Sequence, residues 1–383
     1  MLNVSYNAKR IAEILETLRR GALVRRDVIA NRSTVNYTVV DGKLTFGLDL
    51  PGSGPELFAI NPTALGQIAS TLSVPTTFLK RLVEGYEVET GRGKQRASVR
   101  VAHPDLAATI LTTLSKGEPR KHLFRFMGER LRAVLSDRYR DVDNLDLLSI
   151  VAELAQTHEW DVWDLRYDDD GSHFRVILVD KRVGFEIGAD APGHHQIRRF
   201  AQVYPTVTVT NSETGQGKCR VVWGFVDAGC ANGFVGGVLL EQIHLGVELE
   251  TGLLTPDDTM RARNELLQFR LRDAITQGMD PDQVCERLTP VEAAMNMPLD
   301  PVRAVEALGS LGVTQAQRDA VTNLLMRVGH PLETLWDLQW GITAIANPEH
   351  RERSGLSDPQ VGELEELAGK LLLDAPTREL VLA

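Results

Sequence analysis

Two hydrophobic periods alternate along the chain. From Asn7 to Arg20, Ile11, Ile14, Leu15 and Leu18 recur at three- and four-residue spacing, which predicts a surface helix with one apolar face. The stretch VNYTVVDGKLTFGLD switches to β-rich runs on either side of Asp41-Gly42, a strong hairpin signal. NPTALGQIASTLSVPTTFLKRLVEG returns to helical spacing and predicts two short helices broken near Pro75, the first capped by Asn61 or Thr63. KQRASVRVAH reads as a strand that sets Arg96, Ser98 and Arg100 against Ala97, Val99 and Val101, and a helix is expected from Pro104 to Ser115.

Strands concentrate in the middle of the chain. HLFRFMG and ERLRAVLS predict a pair around Gly128, with Asp137 to Asn144 as the loop that leaves it. After the helical LDLLSIVAELAQTH, WDVWDLRYDDDGSHFRVILVD predicts two strands joined by a turn at Asp168 to Gly171, and YPTVTVTNSETGQGKCRVVWGFVDAGCANG a third set. Beyond about Leu253 the pattern is helical to the end, with Thr255 as a first cap. The fold class expected is α+β, an antiparallel β-rich body with packed helices followed by a helical C-terminal region. The division expected is 1–90 for the N-terminal hairpin and helices, 91–253 for the β-rich centre, and 254–383 for the acidic helical part.

Charge changes this picture more than composition does. The 383 residues carry a formal net charge of −10, which argues against a protein that is basic throughout. Yet Gly91 to Arg140 holds twelve Lys or Arg against four acids, and Glu241 to Ala383 holds twenty-four acids against twelve basic residues. Such asymmetry allows one polyanion-facing surface on an acidic protein, unless acids from elsewhere fold over it. Arg92, Lys94, Arg96 and Arg100 form a first basic set, and Arg120, Lys121, Arg125, Arg130, Arg132, Arg138 and Arg140 a second, with Phe124, Phe126 and Tyr139 among them. Guanidinium groups grip phosphate and aromatic rings stack on bases, so the two sets read as a nucleic-acid surface. The competing reading packs Phe124 and Phe126 inward and leaves the arginines solvated. Arg198 and Arg199, beside His194 and His195, either touch phosphate or lie in a solvated loop.

Few catalytic motifs are present. GxxxxGK[ST], HExxH, GxSxG and paired CxxC are all absent. Cys219, Cys230 and His244 match no compact zinc knuckle, and with Cys285 the three cysteines read as reduced thiols. Asp168, Asp169 and Asp170 form a hairpin turn more naturally than a metal site, which would need Asp161, Asp180 or Glu186 to converge on them. No cofactor and no metal are expected. Asn211, Ser212 and Gly215 predict one turn and Asn232-Gly233 another, while Asp137 and Tyr139 belong to a corner in which Tyr139 is partly buried and Arg138 or Arg140 projects. No apolar run suits a membrane span, and MLNVSYNAKR lacks a secretory signal, so the cytoplasm is the expected location.

LRAVLSDRYRDVDNLDLL, NSETGQG, CANGFVGG followed by His244, TLWDLQWGITAIAN and ALGQIASTLSVPTTFLKRL, in that relation along Pro62 to Asn347, resemble the phage- and plasmid-associated domain of unknown function 932. Trp340-Gly341-Ile342-Thr343 departs from the Asn-Ala-Val-Thr-like segment usual there. The resemblance implies an association with mobile elements and an architecture similar to the β-β-β-α of Rad52-like single-strand annealing proteins. The leading expectation is a non-catalytic protein that binds single-stranded DNA, anneals strands or mediates recombination, and assembles into oligomers. The alternatives are a module that acts on a host or replication protein through its acidic half, and a metal-dependent nuclease built on the acids of 161–186.

Overall fold

The computed structural model describes residues 4–50, 54–90, 97–117, 120–137, 139, 142–187, 201–227, 233–242, 257–295, 297–346, 356 and 358–382. The first part of the chain runs α1 (Val4–Val24), β1 (Arg25–Asn31), β2 (Val35–Val40), β3 (Lys43–Leu50), β4 (Gly54–Ile60), α2 (Pro62–Thr71), α3 (Thr76–Glu84), β5 (Tyr86–Thr90), β6 (Ala97–Val101), α4 (Pro104–Lys116), β7 (Lys121–Met127) and β8 (Arg130–Ser136). The middle continues with α5 (Asn144–His158), β9 (Asp161–Tyr167), β10 (Phe174–Val179), β11 (Phe185–Ile187), β12 (Ala201–Asn211), β13 (Cys219–Asp227) and β14 (Gly233–Gln242). Helices follow: α6 (Asp257–Gly278), α7 (Pro281–Met295), α8 (Pro301–Ala307), α9 (Gln315–Val328), α10 (Leu335–Ala346), α11 (Asp358–Leu373) and α12 (Ala375–Leu382).

Among the described residues the strands form two large sheets and a two-stranded ribbon of β5 and β6. The first sheet has the order β1-β7-β8-β4-β3-β2, antiparallel except for the short parallel pairing of β4 with β8. Its β2–β3 hairpin turns on Asp41 and Gly42 at φ 51° and 73°, the two left-handed residues a tight hairpin needs. Asn61 caps α2 by accepting from the Ala64 amide at 2.7 Å, and Pro62 fills the first helical position. One face of this sheet packs on α2, α3 and α4 around Phe46, Phe58, Phe124 and Phe126. The rings touch, Phe46 to Phe124 at 5.2 Å and Phe58 to Phe126 at 4.2 Å between centroids. Each such buried ring contributes about 1.5–3 kcal/mol. Both phenylalanines of HLFRFMG therefore belong to the core and present no stacking surface.

The second sheet has the order β14-β13-β12-β10-β9, with β11 also paired to β12. One face carries Phe174, Val176, Val207, Val209, Cys219 and Val221 against α1, α5 and α6. Farther along the strands, Val203, Phe225 and Phe234 join the apolar cluster of the C-terminal helices. Alternation along β12 sets Val203, Val207 and Val209 on one face, and Thr206, Thr208 and Thr210 on the other. β14 is rich in glycine because Trp223 of β13 lies on it, so that a Cβ at Gly236 would stand 2.1 Å from the indole.

The fold is thus α+β with antiparallel sheets and packed helices. β1 pairs with β7 and β4 with β8, so the first sheet joins strands from both sides of residue 90. The C-terminal helices share an apolar cluster with the second sheet and do not stand apart from it. Among the described residues no helix is long and apolar enough to cross a membrane.

Candidate functional site

The basic residues singled out in the sequence separate into three groups. Arg92, Lys94, Arg96, Arg138, Arg140, Arg198 and Arg199, with Asn232, lie outside the described residues. Arg100, Arg120, Lys121 and Arg130 are exposed but dispersed. Arg100 donates to the Glu84 carbonyl at 2.8 Å and faces Glu87 across the ribbon. Lys121 and Arg130 start successive antiparallel strands and so stand at opposite ends of the β7–β8 hairpin.

Arg125 and Arg132, the third group, are each 1% exposed. A bulge in the β7–β8 pairing leaves Arg132 as an extra residue, and both guanidinium groups reach Glu213 in the turn after β12. Arg132 donates to the Glu213 carboxylate at 2.7 Å, Arg25 donates to it at 3.2 Å, and the Asn144 amide donates at 2.9 Å. Arg125 donates to the Glu213 carbonyl at 2.5 Å and pairs with Asp27 at 2.9 Å; Arg25 also pairs with Asp143. Burial removes Arg125 and Arg132 from any phosphate-facing surface. They are the first sheet's half of an ionic clasp that fastens it to the second.

NSETGQG is the other half. Asn211 ends β12 and donates to the Val142 carbonyl and to Asn144 Oδ1, both at 2.7 Å. Ser212 accepts from the Gln216 amide at 2.9 Å, and its carbonyl accepts from the Tyr139 hydroxyl at 2.8 Å. Tyr139 is buried, 5.9 Å from the Arg125 guanidinium. Gly215 has φ +74°, and a Cβ there would meet Leu135 at 2.7 Å. Asp137 is exposed in the turn that follows β8. Gly233 is the first residue of β14 and pairs with Val226.

Asp170 accepts from Asn61 at 3.0 Å, Asp161 pairs with Lys181 at 2.8 Å, and Asp180 with Arg182 at 2.8 Å. Among the described residues no group of three His, Cys, Asp or Glu side chains is placed to hold a metal ion. Burial pushes the Cys219 thiol up to about 12.

A second arrangement escaped the sequence reading. Arg166 of β9 pairs in register with Arg175 of β10, Arg175 with Thr210 of β12, Thr210 with Arg220 of β13, and Arg220 with Glu241 of β14. Three arginines therefore lie in one row across five strands, with neighbouring strands about 4.8 Å apart. Like charges so placed repel, and the sheet compensates each. Arg166 pairs with Asp164 at 2.8 Å, Arg175 with Glu365 of α11, and Arg220 with Glu366 of α11 and with Glu241, both at 3.3 Å.

Under the first turns of α11 the row borders a cleft of about 480 Å³, whose floor includes His173, Arg175, Thr208, Thr210, Lys218 and Arg220, and whose roof includes Gly362, Glu363, Glu365 and Glu366. A volume of this order suits a small ligand or a segment of a larger one. Burial pushes the Glu366 carboxyl up, but Arg220 and Lys370 more than offset it, and the group titrates below the usual glutamate range. Guanidinium, ammonium and hydroxyl groups together offer donors to anionic oxygens. The signal available in the sequence was the parity of Arg166, Arg175 and Arg220 opposite the apolar positions of their strands.

No protein-family model, curated protein or solved structure matches the chain.

Proposed function

We propose that the protein binds single-stranded nucleic acid without catalysis, in the manner of a strand-annealing or recombination-mediator protein carried by a phage or plasmid. The observation that carries this reading is the arginine row with its threonine hydroxyls and the open cleft beside it. The sequence resemblance to domain of unknown function 932 suggests the same reading, although no family model or solved structure matches the chain. In this reading the sugar–phosphate chain enters at Lys218 and Arg220, whose side chains are 49% and 28% exposed, and the bases stay outside for pairing with a second strand. Base pairing supplies the annealing specificity, and oligomers in the cytoplasm present many such rows.

The test is a titration of nucleic-acid-free protein with labelled single-stranded and duplex DNA at several salt concentrations. Lys218→Ala with Arg220→Ala should weaken single-strand binding and lower its salt slope by about 0.7 for each phosphate no longer neutralised. A folded protein that binds neither DNA form at low salt refutes the reading. Docking on a host protein has separate support in Phe78, Tyr86 and Val99, exposed by 47%, 42% and 47% on α3 and the β5–β6 ribbon.

A further inference from the structure

The acidic helix α11 lies over the most cationic part of the second sheet, and its hold there is uneven. Val361, Leu364, Ala368, Leu371 and Leu372 are buried in the C-terminal cluster. Gly369 approaches β14 so closely that a Cβ would stand 1.6 Å from the Val235 carbonyl oxygen. Lifting the helix would return all five apolar side chains to water, so a ligand that reaches the arginine row does so with α11 in place. At Gly362, about two turns before Gly369, the helix leaves room: no heavy atom lies within 4 Å of the position a Cβ would take.

The two ion pairs beneath the helix also differ. Arg175 and Glu365 have side chains only 6% and 14% exposed, and breaking that pair would strand a buried charge. Arg220 and Glu366 are 28% and 35% exposed, in the range where ion pairs are weak. Glu366 has a second cation within reach, Lys370 at 3.4 Å on the next turn of its own helix. Glu241, the other carboxylate on Arg220, likewise has Lys218 at 2.7 Å. Both carboxylates can therefore leave Arg220 and still keep a partner.

We infer that Glu366 is a resident competitor for Arg220: an incoming phosphate takes the guanidinium, Glu366 swings to Lys370, and the Arg175–Glu365 pair stays closed. This deepens the proposed single-strand reading and rests on it. The exchange sets the affinity of the cleft below what its cations alone would give, and it rejects anions too weak to displace a carboxylate. Such built-in competition is a form of specificity by opposing charge.

The experiment measures binding of fluorescein-labelled oligothymidylate to the full chain and to Glu366→Gln, Glu363→Gln and Arg220→Ala, alone and combined, with thermal melts to verify folding. Glu366→Gln should tighten binding roughly two- to fivefold, the equivalent of one partly exposed ion pair. Glu363→Gln removes the same charge from the same cleft and should give a smaller gain. Arg220→Ala should erase the gain of Glu366→Gln, and Lys370→Ala should weaken the parent protein while leaving Glu366→Gln unchanged. If parent and Glu366→Gln bind alike while Arg220→Ala weakens both, the exchange is wrong and strand binding at the row stands. If the folded protein binds nothing, or binds with no dependence on Arg220, both ideas fall. Should Glu366→Gln fold poorly, Glu366→Asp keeps the charge, shortens the reach by one methylene and should tighten binding in the same direction.

Discussion

Replacing Glu213 with glutamine tests whether the arginines of β7 and β8 are structural. The substitution preserves shape and removes the one carboxylate that Arg25 and Arg132 share. Arg25 keeps Asp143, but Arg132, 1% exposed, exchanges a carboxylate for neutral acceptors, the glutamine amide oxygen and the Asp170 carbonyl at 3.4 Å. Removing one partner of a buried pair costs about 3–5 kcal/mol, chiefly because the other charge remains desolvated. Melting entropy scales at about 2.1 cal/mol/K per residue, so a 383-residue chain that melts as one unit should lose roughly 4–6 °C in Tm. Differential scanning calorimetry measures this directly. Glu213→Gln combined with Arg132→Met should recover part of the loss, because the stranded charge is then gone. A single-variant shift under about 1 °C, or a DNA-binding defect from Arg132→Met at unchanged stability, would refute the clasp and return Arg132 to the binding surface.

Gly369→Ala should destabilise the protein by about 1–3 kcal/mol or misplace α11, because the new methyl collides with the Val235 carbonyl; chemical denaturation against Gly362→Ala, where space is open, checks it. The depressed Glu366 titration makes its pairing a stabilising contribution that is full above the usual glutamate value of about 4.3 and lost as pH falls through the lower folded value. The urea midpoints of the parent protein and Glu366→Gln should accordingly converge below about pH 4, and a gap that persists there contradicts the assignment. A thiol reagent at pH 8 should label the exposed Cys285 in the folded protein and spare Cys219 until unfolding, as read by peptide mass mapping.

Local geometry was legible in the sequence where one residue type answers one backbone demand. Asp41-Gly42 specified its hairpin because both positions require positive φ, and Asn61 specified a helix start because its side chain closes a free amide. β14 was not legible as a strand, since its glycines exist for the ring of Trp223 on a neighbouring strand. β1 was hidden by RRDVIAN, whose charges look solvated until Arg25 and Asp27 meet partners far along the chain. The same distance defeated the charge count between residues 91 and 140. Arg125 and Arg132 look like free cations locally, and the glutamate that claims them lies more than eighty positions later. The arginine row of the second sheet is visible as parity in each strand, but only the strand order joins it.

The clasp also dictates an order of events in time. Phe46 and Phe58 leave the ribosome well before β7 brings Phe124 and Phe126 to cover them, an interval on the order of ten seconds at ordinary rates of synthesis. Glu213 is made more than eighty residues after Arg125 and Arg132, which stay hydrated and unable to settle into the interior until it arrives. The first sheet can collapse around its phenylalanines, but its polar face stays wet until the second sheet's turn is made. A nascent chain stalled before residue 213 should therefore carry a half-finished body, exposed to chaperones and proteases on the side that the finished protein seals.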